Sequence, residues 1–205
     1  MVFVKDSFTI VLLGDWNKLY MQPDWIAQNV YERQEIEIGV NGQGTEYNVT
    51  YRCNGVIIAP TQSQVMFTAC DVESGTIDYI VKCVNNFLMK ATTPVLLAYG
   101  LNCEFVDSDG AVLAHVIDSM SDNSAIIEQG YEINAAKVSR TLIKDGNILN
   151  VEMMREGNGA KIHFNEHRGN PTTEMPTISS VQITSFISDC NGLVEAFGYD
   201  LEGDE

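Results

Sequence analysis

The chain lacks several things that would name a class. Its 205 residues contain no run near the roughly 18 apolar residues that a membrane-spanning helix needs, so no membrane partner is expected. They contain no C-x-x-C pair. The five cysteines, Cys53, Cys70, Cys83, Cys103 and Cys190, are odd in number, widely spaced and set among apolar neighbours, which argues against a disulfide framework. Free cysteine behaves as a small hydrophobe, and this usage suits a reducing compartment. The opening stretch MVFVKDSFTIVLLGDWN has one lysine and a short apolar run, Phe8 to Leu13 broken by Thr9. That run is too short for a secretory signal core and is expected to be a strand of a cytoplasmic protein. The sequon at Asn48–Thr50 then carries no meaning. Positive charge is also scarce: 12 Lys and Arg stand against 28 Asp and Glu, for a formal net charge of −16. Such a surface repels phosphate, so direct nucleic-acid binding is not expected. Neither a P-loop, a dinucleotide-binding glycine fingerprint nor a nucleophile elbow occurs.

What is present is a folded composition, 45% hydrophobic and 9% aromatic. Residues 8–13 read as a buried strand and Pro23–Tyr31 as a short helix with proline in its first turn. Alternation then predicts strands at 34–40, 45–53, 56–60 and 64–70. Tyr47, Val49, Tyr51 and Cys53 point one way, and Glu46, Asn48, Thr50 and Arg52 the other. Asn54-Gly55 predicts a tight hairpin, because both residues tolerate positive φ. Asn41–Gly44 predicts another turn. From Thr76 to Lys90, Ile77, Ile80, Val81, Val84, Phe87 and Leu88 form one helical face.

After Pro94 the order restarts. A strand is expected at 95–106, a helix at 111–120, strands at about 129–143, 147–155 and 160–166, and a helix from about Ile178 to Phe197. Ser124–Gln129 also suits an extension of the short helix. In the last helix Ile183, Phe186, Ile187, Cys190, Leu193 and Val194 repeat the earlier apolar spacing at an offset of 106 residues. The expected class is α+β: two pseudo-repeated β-α-(β)3–4-α halves, 1–93 and 94–205, in one globular unit with helices on one face of an antiparallel sheet. This element order resembles that of the TATA-box-binding proteins and, more distantly, of sliding-clamp domains. The resemblance is one of order alone and implies no function.

One motif hints at chemistry. His163-Phe-Asn-Glu-His167 matches the H-x-x-E-H pattern of a group of zinc peptidases. Glycine-rich flanks and the alternation of Ala160, Ile162 and Phe164 with Lys161, His163 and Asn165 instead predict a strand. There the two histidines would stand about 13 Å apart, too far for one zinc. Asp107-Ser-Asp-Gly110, with Asp118 beyond, resembles part of a calcium loop but has the glycine misplaced, and predicts a helix-capping turn. His115 on the short helix has no partner base in the sequence. No metal, cofactor or catalytic residue is assigned.

Two features remain as candidate binding surfaces. Residues 94–205 carry 18 acidic and 6 basic residues, against 10 and 6 in residues 1–93. Within them Glu104, Asp107, Asp109, Asp118, Asp122, Glu128 and Glu132 follow one another with no intervening Lys or Arg. The second feature is Trp16, Tyr20 and Trp25, aromatic residues that suit either an interface or a helix anchored on the sheet. The expected function is a non-catalytic binding or assembly protein that meets a basic protein partner through its acidic surface, with a strand edge available for self-association. Alternatives are an acidic nucleic-acid mimic that inhibits a DNA- or RNA-binding protein, and an enzyme or small-ligand binder with a site between helices and sheet, where Asn102 and Glu104 would be buried polar candidates.

Overall fold

The computed structural model describes residues 1–43, 46–91, 95–108, 110–119, 124–144, 146–157, 159–169 and 176–201. In chain order the elements are β1 (Val2–Phe3), β2 (Thr9–Asp15), a 3-10 turn (Lys18–Met21), α1 (Pro23–Trp25) widening into a π-helix (Ile26–Tyr31), β3 (Glu37–Gln43), β4 (Glu46–Cys53), β5 (Val56–Pro60), β6 (Gln64–Ala69) and α2 (Ser74–Lys90). There follow β7 (Val95–Asp107), α3 (Ala111–Ser119), α4 (Ser124–Glu128), β8 (Ala135–Lys144), β9 (Asn147–Glu156), β10 (Gly159–Gly169) and α5 (Ser180–Ala196). A large antiparallel sheet with a few helices makes the class α+β. No described helix is long and apolar enough to cross a membrane. The chain divides into two compact units, Lys5–Asn102 with His167–Thr184, and Met1–Val4 with Cys103–Glu166 and Ser185–Glu205. The boundary expected at residues 93 and 94 lies outside the described residues.

In the first unit the strand order is β3-β4-β5-β6-β2-β7. Register sets the core. Ile10 lies opposite both Phe67 and Leu101, so these apolar side chains share one face, and all three are buried. Asn54 and Gly55 turn between β4 and β5 with φ of 47° and 74°, the positive values a two-residue hairpin requires. The turn expected at Asn41–Gly44 differs. Asn41, Gly42 and Gln43 continue β3, opposite Asn48, Tyr47 and Glu46, so the reversal is confined to residues 44 and 45, which lie outside the described residues. Gly39 allows this close pairing, since a Cβ there would stand 2.5 Å from Thr50 Oγ1.

Helix α2 buries Ile77, Ile80, Val84 and Phe87. Phe87 is the centre of an aromatic cluster, with ring centroids 5.1 Å from Trp16, 5.7 Å from Trp25 and 5.9 Å from Phe67. Each such edge-on pair contributes about 0.5–1.5 kcal/mol beyond burial. Polar groups fix the helix against its neighbours: Asn86 Nδ2 donates to Val30 O at 3.0 Å, and Asn85 both donates to Ile178 O and accepts from Ile178 N. Glu32, in the left-handed region at φ 54°, ends the π-helix and ion-pairs with Lys82 and Lys90. These two cations hold its carboxyl below the usual range.

In the second unit β1 pairs with β7, and β7-β10-β9-β8 follow in order. Phe105 is ringed edge-on by Phe3 at 5.2 Å and Phe164 at 5.8 Å. Leu113 and Ile117 of α3 and Cys190 and Val194 of α5 are buried. The Tyr199 hydroxyl accepts from Leu113 N at 2.9 Å. The strand expected from residue 129 begins at Ala135 instead. Ser124–Glu128 is helical, closed by Gly130 at φ 84°, where the Gly130 and Tyr131 N–H groups return to Ile127 and Ile126 carbonyls. Helix α5 runs unbroken through Asn191-Gly192.

Two stability predictions follow from this packing. Phe87→Ala is expected to cost about 3–5 kcal/mol in urea unfolding, because three aromatic neighbours lose one partner. Burial pushes the Cys83 thiol up from 9.0 to about 12, so the unfolded chain ionises first as pH rises. The stability this thiol contributes is complete below pH 9 and is lost as pH climbs from there toward 12, at up to about 1.4 kcal/mol per pH unit. Cys83→Ala should therefore flatten the decline in stability of the reduced protein between pH 9 and 10.5.

Candidate functional site

The H-x-x-E-H segment lies on β10 and has strand alternation throughout. Ile162, Phe164 and Glu166 are buried, Lys161, His163 and Asn165 are half-exposed, and His167 is exposed. Successive histidine and glutamate side chains therefore point to opposite faces, and a shared metal is ruled out by the geometry of the strand. His163 instead has its Nδ1 3.3 Å from Glu104 Oε1, at ion-pairing distance but without hydrogen-bond alignment. The other Glu104 oxygen is 2.7 Å from Lys161 Nζ. Around this pair the same polar face carries Lys137 bound to Glu152 at 2.6 Å and a run of hydrogen bonds from Thr141 to Asn150 and from Asn150 to Asn165. Among the described residues no group of three His, Cys, Asp or Glu side chains is placed to hold a metal ion.

The sequence candidates separate into three groups. Trp16 and Tyr20 are buried, at 1% and 5% exposure, and Trp25 is half-buried between Tyr20 and Phe87. Their surface is given to the core of the first unit. Glu104 is committed to Lys161. Asn102 donates to Thr9 Oγ1 at 3.0 Å across the β2–β7 pair. Asp109 and Asp122 lie outside the described residues, as does the side chain of Asp118, whose backbone is in α3.

Asp107 and Glu132 lie toward one end of the second unit's sheet, and Glu128 is the last residue of α4. Asp107 is the last residue of β7. Glu132 precedes the start of β8 by three residues, and that first residue, Ala135, is registered opposite Glu156 of β9. Asp107 and Glu156 both line a cleft of about 380 Å³ with Met154, Gly159 and Lys161. Glu128, Glu132 and Glu156 are exposed and make no ion pair among the described residues. Glu156 was not singled out in the sequence because it lies 24 residues beyond Glu132, and only the β8–β9 register brings it there.

A second, larger cleft of about 510 Å³ opens between α5 and the β8–β9 hairpin, lined by Leu142, Leu149, Glu166, Phe186, Asp189 and Gly192 among others. Lys144 Nζ, on β8, reaches Asp189 Oδ1 of α5 at 2.7 Å and ties the two walls together. Behind this wall the Cys190 thiol is pushed far up by burial and by Cys103 beside it, so it stays protonated and unreactive at neutral pH. Clefts of this size are typical of small-ligand sites.

No protein-family model matches the chain, and no curated protein matches it in sequence.

The strand placement of the histidines has a direct test. Zinc titrated at stoichiometric concentration is expected to leave the His163 and His167 imidazole NMR signals without a saturable shift. His163→Ala and His167→Ala should melt as the unsubstituted protein does, with or without chelator. Tight one-to-one zinc binding lost in both variants would contradict the strand.

Proposed function

We propose that this is a cytoplasmic, non-catalytic binding protein whose second unit engages a basic protein partner through the acidic end of its sheet. The observation that carries this reading is the cleft that Asp107 and Glu156 share, with Ala135, three residues after Glu132, registered opposite Glu156. The surrounding charge supports it. The second unit holds 17 acidic and 5 basic residues and the first 11 and 7, and three of the second unit's cations are already bound to carboxylates. A field of one sign steers a basic partner and sharpens its approach. An internal duplication belongs to the same reading. The helix positions 106 residues apart share their burial almost one for one: Ile77, Ile80, Val84 and Leu88 are buried, as are Ile183, Phe186, Cys190 and Val194.

Charge reversal tests the site. The protein and its Glu128→Lys, Glu132→Lys, Glu156→Lys variant would be used as baits in nuclease-treated lysate at low and high salt. A stoichiometric basic protein that is released by salt and missing from the variant's eluate is the expected result. If that protein binds DNA or RNA and the bait competes with the nucleic acid, the acidic-mimic form of the proposal gains. Equal capture by both baits would refute the acidic end as the contact.

A further inference from the structure

Strand β3 of the first unit has an open edge. Among the described residues it is paired only with β4, so its other side presents unpaired N–H and C=O groups. The strand is bare on both faces as well: every residue from Glu37 to Gly42 is exposed. Ile38 is registered opposite Tyr51, a core residue at 2% exposure, yet Ile38 itself is 52% exposed, and Val40, next on the same face, is 60% exposed. Proteins commonly guard such an edge with lysine or proline, and residues 34–43 contain neither. On the opposite face Glu37 is exposed, and Glu35 is exposed just before the strand begins. Neither makes an ion pair among the described residues, although Arg52 is registered opposite Glu37.

We infer that this edge docks an extended segment of another protein, one in which apolar side chains alternate with lysine or arginine. A strand added to β3 closes its open hydrogen bonds, which gives affinity, while the alternation gives specificity. Side chains of the added strand fall in the same two rows as those of β3. The apolar row meets Ile38 and Val40 and takes them out of water. The basic row stands on the face of Glu37, with Glu35 beyond it. A second copy of this chain fits the edge less well, since pairing β3 with β3 would bring together the same glutamates and two net charges of −16. The contact uses none of the residues proposed for the acidic end of the second unit and does not rest on that reading.

The test uses the full chain, amide NMR and three capped peptides: a Lys-Val repeat, the matching Glu-Val repeat, and a block peptide of the Lys-Val composition with all its lysines first. The Lys-Val repeat is expected to shift resonances of residues 36–43 saturably, at least about tenfold more tightly than either of the others. Glu35→Lys with Glu37→Lys should turn the preference toward the Glu-Val repeat. Ile38→Lys with Val40→Lys should lose all three peptides and keep a dispersed spectrum, because both side chains are more than half exposed. No saturable shift at millimolar peptide, shifts centred elsewhere, or equal binding of the three peptides would overturn the inference. So would sedimentation of the protein alone as a dimer that Ile38→Lys with Val40→Lys dissociates, since a second copy would then fill the edge. The acidic-end variant above should keep the preference for Lys-Val, so failure here and failure there are separate results.

Discussion

The alternation of side chains along β10 is the constraint on which the second unit depends. Ala160, Ile162, Phe164 and Glu166 are buried, and Lys161, His163 and Asn165 look out between them. A slip of one residue would put a lysine, a histidine and an asparagine into the core and two large apolar side chains into water. Burying a Phe or an Ile is worth about 1.5–3 kcal/mol each, so no such slip is tolerated. The same parity decides the chemistry. It turns a zinc-peptidase motif into one outward histidine beside Glu104 and one inward glutamate on a cleft wall. The β8–β9 pairing separately sets Ala135 opposite Glu156.

Much of the fold was legible because its local rules agree with one another. The apolar stripe from Ile77 to Leu88 needed no tertiary information, and the structure has α2 at Ser74–Lys90. Asn54-Gly55 named its own turn. The misreadings fall where glycine was given one meaning out of several. Gly42 was taken as a turn residue and is a strand residue, held by pairing with Tyr47. Gly130 was passed over inside an expected strand and is the left-handed cap that ends α4. Local sequence offers a glycine both uses, and the partner strand selects one.

The sites were less legible, for a reason visible in the tryptophan segment. Trp16, Tyr20 and Trp25 have the composition of an interface and of a core alike. Phe87 settles which of these holds, and it comes 62 residues after Trp25. Counting acidic residues along the chain grouped Glu104 with Asp107 although the strand pairing places them differently: Glu104 ion-pairs with Lys161, and Asp107 ends β7 and lines a cleft with Glu156. Linear charge density reports how much charge a surface has. Which carboxylates stay available depends on the cations opposite, and those are set by register.

The carboxylates of the second unit differ in exposure. Glu128, Glu132 and Glu156 are solvated, so each interaction there is weak, screened by salt and useful chiefly as part of a broad field. That arrangement suits a large basic surface, over which many small attractions add. Glu166, on the buried face of β10, is 7% exposed and forms part of the cleft beneath α5. Solvated carboxylates thus suit the proposed basic partner, whereas a buried one such as Glu166 is held within the fold.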